Sequence, residues 1–116
     1  MENTESNKNA NELNNTNPII NAFTNRLTNI NTTQPKKTLT QELKHLFNDI
    51  YSHIITNTEL QTKIKDCEIL IYIILAKSDH SLLSLTQDES FEIDCILFTI
   101  IDIIVSSTPL EWSSSI

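Results

Sequence analysis

The chain has 116 residues, contains no glycine and carries a formal net charge of −7 at pH 7. This length fits one small domain and excludes most large enzyme scaffolds. The lack of glycine excludes phosphate loops, dinucleotide-binding fingerprints and calcium loops, which all need glycine at a tight turn. Most of the negative charge follows residue 37, where four lysines stand against twelve acidic residues. Without a basic patch, we expect no nucleic-acid partner.

The two cysteines, Cys67 and Cys95, belong to no metal-binding or redox motif. The first residues lack the basic and apolar regions of a secretory signal. We therefore expect an intracellular protein, cytoplasmic or nuclear, with reduced thiols. The longest uncharged apolar run, 69–76, is too short for a membrane span of about 20 residues, so no transmembrane segment is expected. The excess of isoleucine and asparagine is typical of an AT-rich genome.

Residues 1–37 form a segment of distinct composition. Eleven of the thirteen asparagines lie here, and only nine of its 37 residues are apolar. Because little apolar surface offsets the entropy lost on ordering, the composition predicts a largely disordered tail. One stretch is better patterned, since Asn17 and Pro18 suit a helix start and apolar residues follow at helical spacing. We predict a docking helix over 18–30 that is ordered only when it packs on the domain or a partner.

Residues 38–116 have the composition of a folded domain, with 36 apolar residues of 79. Three capping boxes, in which Thr precedes Gln or Glu by three residues, predict helix starts at Thr38–Gln41, Thr58–Gln61 and Thr86–Glu89. Apolar residues at helical spacing then predict helices over about 39–56, 59–77 and 87–107. The first two are joined so closely that they must be antiparallel neighbours, an αα-hairpin.

The segment 68–75 leaves an alternative open, because its β-branched residues also suit a buried strand. Its polar neighbours recur every three or four positions, which favours a helix with one narrow polar stripe. A short helical turn is expected near 81–85, and Pro109 ends the last long helix. The predicted fold is therefore all-α, a small three- to four-helix bundle built on the αα-hairpin after the asparagine-rich tail.

The predicted helices 59–77 and 87–107 carry more apolar surface than a 79-residue domain is expected to bury. Each has a thin polar stripe on a mostly apolar cylinder, whereas an ordinary surface helix has an apolar stripe little wider than 100°. A protein partner or a second copy of the chain is expected to cover this surface, unless the tail and Trp112 do so. The residues predicted to bind the partner are Ile69, Ile73, Ile96, Ile100, Ile103 and Ile104, together with Ile19, Phe23 and Leu27 of the docking helix.

Few side chains suggest catalysis or metal binding. His45, Asp49 and His53 lie on successive turns of one predicted helix, but its histidines are about 12 Å apart along the axis, too far for one zinc ion. Both cysteines are interpreted as small packing residues, and carboxylates near Cys95 would make it a poor nucleophile. Asp102 is interpreted as facing solvent. No catalytic, metal-binding or cofactor-binding residue is assigned, and no cofactor is expected.

The sequence thus predicts a non-enzymatic helical interaction module, a subunit or adaptor of a larger complex. One alternative is a peripheral protein whose apolar helix faces meet a membrane surface, although such helices usually carry Lys and Arg rather than acidic residues. A small enzyme that depends on Cys or His is the third alternative, but no local sequence signature supports it.

Overall fold

The computed structural model describes residues 17–55 and 57–112. It contains four α-helices and a final 3-10 turn: α1 (Pro18–Thr28), α2 (Lys36–His53), α3 (Thr58–Lys77), α4 (Gln87–Ser106) and the turn Pro109–Glu111. No strand occurs in the described ranges, so the all-α prediction is confirmed and the segment 68–75 is helical. The predicted disorder of the tail falls, for residues 1–16, outside the described part of the chain.

The helices form a four-helix bundle in which each packs against the next along the chain. α3 and α4 run antiparallel. Ser78, just after α3, donates to Glu89 at the start of α4, while Leu60 and Ile103 line one cavity at the opposite end. α2 and α3 are the predicted αα-hairpin: Phe47 of α2 lies edge-on to Tyr72 of α3, and the Tyr51 hydroxyl donates to Glu68.

α1 completes the bundle by packing between α2 and α4. Asn17 Oδ1 caps it by accepting from the N–H groups of Ile19 and Ile20, as the sequence predicts. The helix ends at Thr28, two residues before the predicted end, and Ile30 enters the core from the connection that follows. α2 begins at Lys36, so the predicted boundary between residues 37 and 38 falls inside a helix.

One of the three predicted capping boxes forms, at Thr86 and Glu89, with reciprocal bonds of 3.2 and 2.9 Å. The other two predicted helix starts are too late, by three residues for α2 and by one residue for α3. α2 begins directly after Pro35, because the ring fixes a φ that suits entry into a helix. Asn57 caps α3 in place of the predicted threonine, since its side-chain oxygen reaches the N–H of Leu60 at 2.9 Å.

The helical turn expected near 81–85 is absent. Asp79 Oδ1 accepts from both the N–H and the hydroxyl of Ser81, at 2.9 and 2.8 Å, which closes a tight turn instead. The backbone N–H of Lys36 donates to the Leu83 carbonyl at 2.9 Å. The Lys36–Leu83 bond holds the connection against the start of α2 and gives the Leu83 carbonyl a partner outside its own segment.

Trp112 closes one end of the bundle. It is 2% exposed, its ring centroid lies 5.8 Å from that of Phe23, and its Nε1 donates to Ser107 Oγ at 2.7 Å. The chain after α4 returns to the α2–α3 connection, where the Ile55 N–H donates to the Glu111 carbonyl at 2.9 Å. The end of the described chain therefore contributes to the core.

Candidate interaction surface

The structure divides the predicted partner-binding residues into exposed and buried groups. Ile69 and Ile73 are 49% and 42% exposed, and Ile96 and Ile103 are partly buried on α4. The other five are at most 4% exposed and belong to the core: Ile19, Phe23, Leu27, Ile100 and Ile104. A partner cannot reach these five in this fold. On α4 the reason is geometric, because residues 93, 97, 100 and 104 fall on the single stripe that points inward.

The exposed part of the predicted surface lies on α3. We call Ile69, Leu70 and Ile73 the α3 patch; they are 42–51% exposed. Ile73 is three or four residues from each of the others, so the three are neighbours on the helix surface. Ile96 and Ile103 of α4 pack against the core, and Ile103 lines a cavity together with residues at the start of α3. Leu70 was not predicted from the sequence, although it lies three residues before Ile73 and is therefore its neighbour on the helix surface.

A second exposed apolar feature runs along α4. Phe91, Phe98 and Val105, called the α4 ridge, are 67%, 63% and 57% exposed. They are seven residues apart and so lie almost on one line along the helix, about 21 Å long at 1.5 Å per residue. The sequence prediction missed them because nearly every residue of this segment is apolar. Their seven-residue spacing is visible in the sequence, but it does not indicate which face of the helix turns outward.

A groove lies beside the α4 ridge, between α4 and the end of α1. This α1–α4 groove encloses a cavity of about 320 Å³. Its apolar walls are Leu27, Ile30, Leu97, Phe98 and Ile101, and its polar lining is Thr28, Asn31, Thr32, Thr33 and Asp94. Asp94 is thus the one charged residue among the described residues that line the groove.

A chain of hydroxyl groups holds the Asp94 carboxylate in place. Thr32 Oγ1 donates to Asp94 Oδ1 at 3.0 Å and lies 2.6 Å from Ser90 Oγ. Because the single Thr32 hydroxyl hydrogen goes to Asp94, Ser90 must donate to Thr32. Thr32 and Ser90 are buried, whereas Asp94 is half-buried and forms no ion pair with any described residue.

A tyrosine cluster joins α2 to α3. The Tyr51 hydroxyl donates to Glu68 Oε1 at 2.7 Å, and Lys65 Nζ lies 3.2 Å from the same oxygen. The Tyr72 hydroxyl is buried and has no hydrogen-bond partner among the described residues. The pKa of Tyr72 is raised to about 12, and that of Tyr51 lies well above its ordinary value. Burial is the largest cause for both hydroxyls, and the nearby Glu68 carboxylate adds to it.

We expect this cluster to make the protein lose stability in alkaline solution. The unfolded chain releases both phenol protons near its ordinary pKa of about 10, whereas the folded chain retains them. The stabilisation is therefore complete below that pH and falls as pH rises through the folded-state pKa values. Thermal midpoints measured between about pH 9 and 11.5 should fall more steeply for the unchanged chain than for Tyr51→Phe/Tyr72→Phe. Parallel curves would contradict this assignment.

The side chains considered for chemistry are not brought together. Asp49 Oδ2 pairs with Arg26 Nη1 at 2.9 Å, while His53 Nδ1 lies 2.9 Å from the backbone carbonyl of Asp49. Cys67 is buried, and this burial raises the pKa of its thiol, whereas Cys95 is exposed. Within residues 17–55 and 57–112, no group of three or more His, Cys, Asp and Glu side chains could hold a metal ion.

Comparison with protein-family models, with curated proteins and with solved structures gave no match to this chain. In the described ranges, no helix combines the length and hydropathy needed to cross a bilayer.

Proposed function

We propose that this chain is a non-enzymatic helical interaction module, a subunit or adaptor of a protein complex, that binds its partner through the α3 patch. The supporting observation is the exposure of three large apolar side chains side by side on one helix. Soluble proteins use such patches mainly for association. Lys63, Asp66 and Lys77 are exposed on the same helix, and a polar rim around an apolar centre is the usual anatomy of an interface.

The proposal includes an intracellular location, in which Cys67 and Cys95 remain reduced. The membrane-surface alternative is disfavoured by charge. On α3 three acidic residues offset the three lysines, and the neighbouring α4 carries five acidic residues and no Lys, Arg or His. An anionic lipid surface would repel such a helix, whereas interfacial helices attract it through basic residues.

Ile73→Glu should remove the partner without unfolding the protein, because the side chain is 42% exposed. We expect affinity capture from the source cells, quantified by mass spectrometry, to recover a partner whose yield falls at least about tenfold in this variant. Asn48→Glu is the matched control, since it adds the same charge at an exposed position on α2. Its yield should equal that of the unchanged chain.

Two further measurements separate the alternatives. Light scattering after size-exclusion chromatography reports self-association, and a dimer that Ile73→Glu dissociates would identify the partner as a second copy. Flotation with neutral and anionic liposomes reports lipid binding. Liposome binding that Ile73→Glu abolishes would contradict the proposal, as would a monomer whose captured proteins are the same for both variants.

A further inference from the structure

The α1–α4 groove has the size and lining to accept an inserted side chain. Its volume of about 320 Å³ lies at the lower end of the range for ligand sites, about 300–1,000 Å³. Leu27 and Ile30 supply apolar surface from one side, and Leu97 and Ile101 supply it from α4. The long aliphatic part of a side chain would fit between them.

The charged residues of the groove lining and of α4 are all acidic. Asp94 is the charged group in its lining, and the hydroxyl chain from Ser90 through Thr32 occupies only one carboxylate oxygen in a described contact. α4 adds further acidic residues at Asp88, Glu89, Glu92 and Asp102 and has no basic residue to offset them. A cationic group entering the groove would therefore meet a fixed, unpaired carboxylate.

Phe98 makes an arginine the best complement to Asp94. The two side chains are four residues apart on α4, so they are neighbours on its surface. Phe98 is 63% exposed and forms a wall of the groove. A guanidinium that bonds the carboxylate can also stack on the aromatic face, which a compact ammonium does less well.

We propose that the α1–α4 groove binds an amphipathic helix of a protein partner, which places an arginine on Asp94 and apolar side chains along the α4 ridge. The ridge spans about 21 Å, the length of roughly four helical turns, and suits anchors at positions i, i+3 or i+4, and i+7. The inference rests on the proposed function because both need a protein partner. It concerns a different surface, so variants of the groove and of the α3 patch distinguish the two.

Other occupants match the groove less well. A second copy that docked through its own α4 would bring five acidic residues against five others, and like charges at an interface oppose association. Residues 1–16 contain one lysine, three glutamates and only three apolar residues, so they offer little to cover the ridge. A partner helix with basic and apolar residues complements both the charge and the apolar surface.

The test is selection from a displayed library of amphipathic helical peptides whose flanking positions are randomised. We expect enriched peptides to carry arginine beside an apolar stripe. Asp94→Asn should weaken their binding roughly tenfold, because it removes a charge-assisted bond while the amide oxygen still accepts from Thr32. Phe98→Ala should weaken binding at least as much. Two controls, Asp102→Asn and Thr99→Ala, change exposed residues of α4 that do not line the groove. Asp102→Asn should weaken binding much less than Asp94→Asn, since it removes only a charge outside the groove, and Thr99→Ala should bind normally.

Several results would overturn the inference. These are a library without enrichment, enriched peptides that lack basic residues, or equal losses for Asp94→Asn and Asp102→Asn. Tighter binding after removal of residues 1–16 would show that the chain fills its own groove. A dimer that Phe98→Ala dissociates would assign the groove to a second copy. Peptides that respond to Ile73→Glu but not to Asp94→Asn would uphold the α3 patch and refute the groove.

Discussion

Ile100→Glu is expected to abolish cooperative folding, whereas Ile73→Glu leaves the domain folded. Ile100 is 0% exposed and lies at the centre of the inward stripe of α4. The change removes an apolar side chain whose loss alone costs about 2–5 kcal/mol. It also places a carboxylate where desolvation costs several kcal/mol more. Together these approach the whole stability of a small domain, about 5–15 kcal/mol.

Urea unfolding followed by far-UV circular dichroism would measure this difference. The unchanged chain and Ile73→Glu should show similar sigmoidal transitions, while Ile100→Glu should show little helix at any urea concentration. Ile100→Ala provides a milder comparison that retains a transition at lower urea. If Ile100→Glu kept the midpoint of the unchanged chain, the inward face of α4 would be assigned wrongly.

A chain shortened to residues 38–116 is expected not to fold, because it lacks α1. The removed segment contains four core side chains, Ile19, Phe23, Leu27 and Ile30, each at most 9% exposed. Their burial contributes roughly 6–12 kcal/mol at about 1.5–3 kcal/mol each, which is comparable to the total stability. The loss would also expose Trp112 and the face of α4 that packs against α1.

Removal of residues 1–16 alone is the matched control for this truncation. It leaves Asn17 to cap α1 and keeps the described core complete, so the thermal midpoint should stay close to that of the full chain. A single-residue version of the same test is Phe23→Ala, which should cost about 3–5 kcal/mol. A cooperative thermal transition for 38–116 near that of the full chain would refute the role given to α1.

The helices were predictable because their signals are local. Residue spacing within a segment distinguishes a helix from a strand, and the caps at Asn17 and Thr86 depend only on side chains within three residues. The starts of α2 and α3 are set instead by Pro35 and Asn57, which lie three residues and one residue before the threonines of the predicted capping boxes. The helical turn predicted near 81–85 does not form for a different reason. The Lys36 N–H, from a distant part of the chain, bonds the Leu83 carbonyl in this connection.

The candidate surface was predictable only in part. Ile69 and Ile73 are exposed as expected, but Ile100 and Ile104 are buried, while Phe91 and Phe98 are exposed in their place. On a helix that is apolar on most sides, hydrophobicity does not indicate which face turns inward. Neighbouring helices decide that, and here α1 and α3 both pack against α4.

The sequence by itself determined that the chain is helical and acidic and that its last two long helices are apolar on most sides, because composition and spacing are properties of each segment alone. The tertiary structure decided how that apolar surface is divided. α1 enters the core and covers part of α4, which leaves the α3 patch and the α4 ridge in solvent. The tertiary structure also placed Thr32 beside Asp94, which lies 62 positions further along the chain. Contacts between such distant segments depend on how helices pack, so no local pattern encodes them.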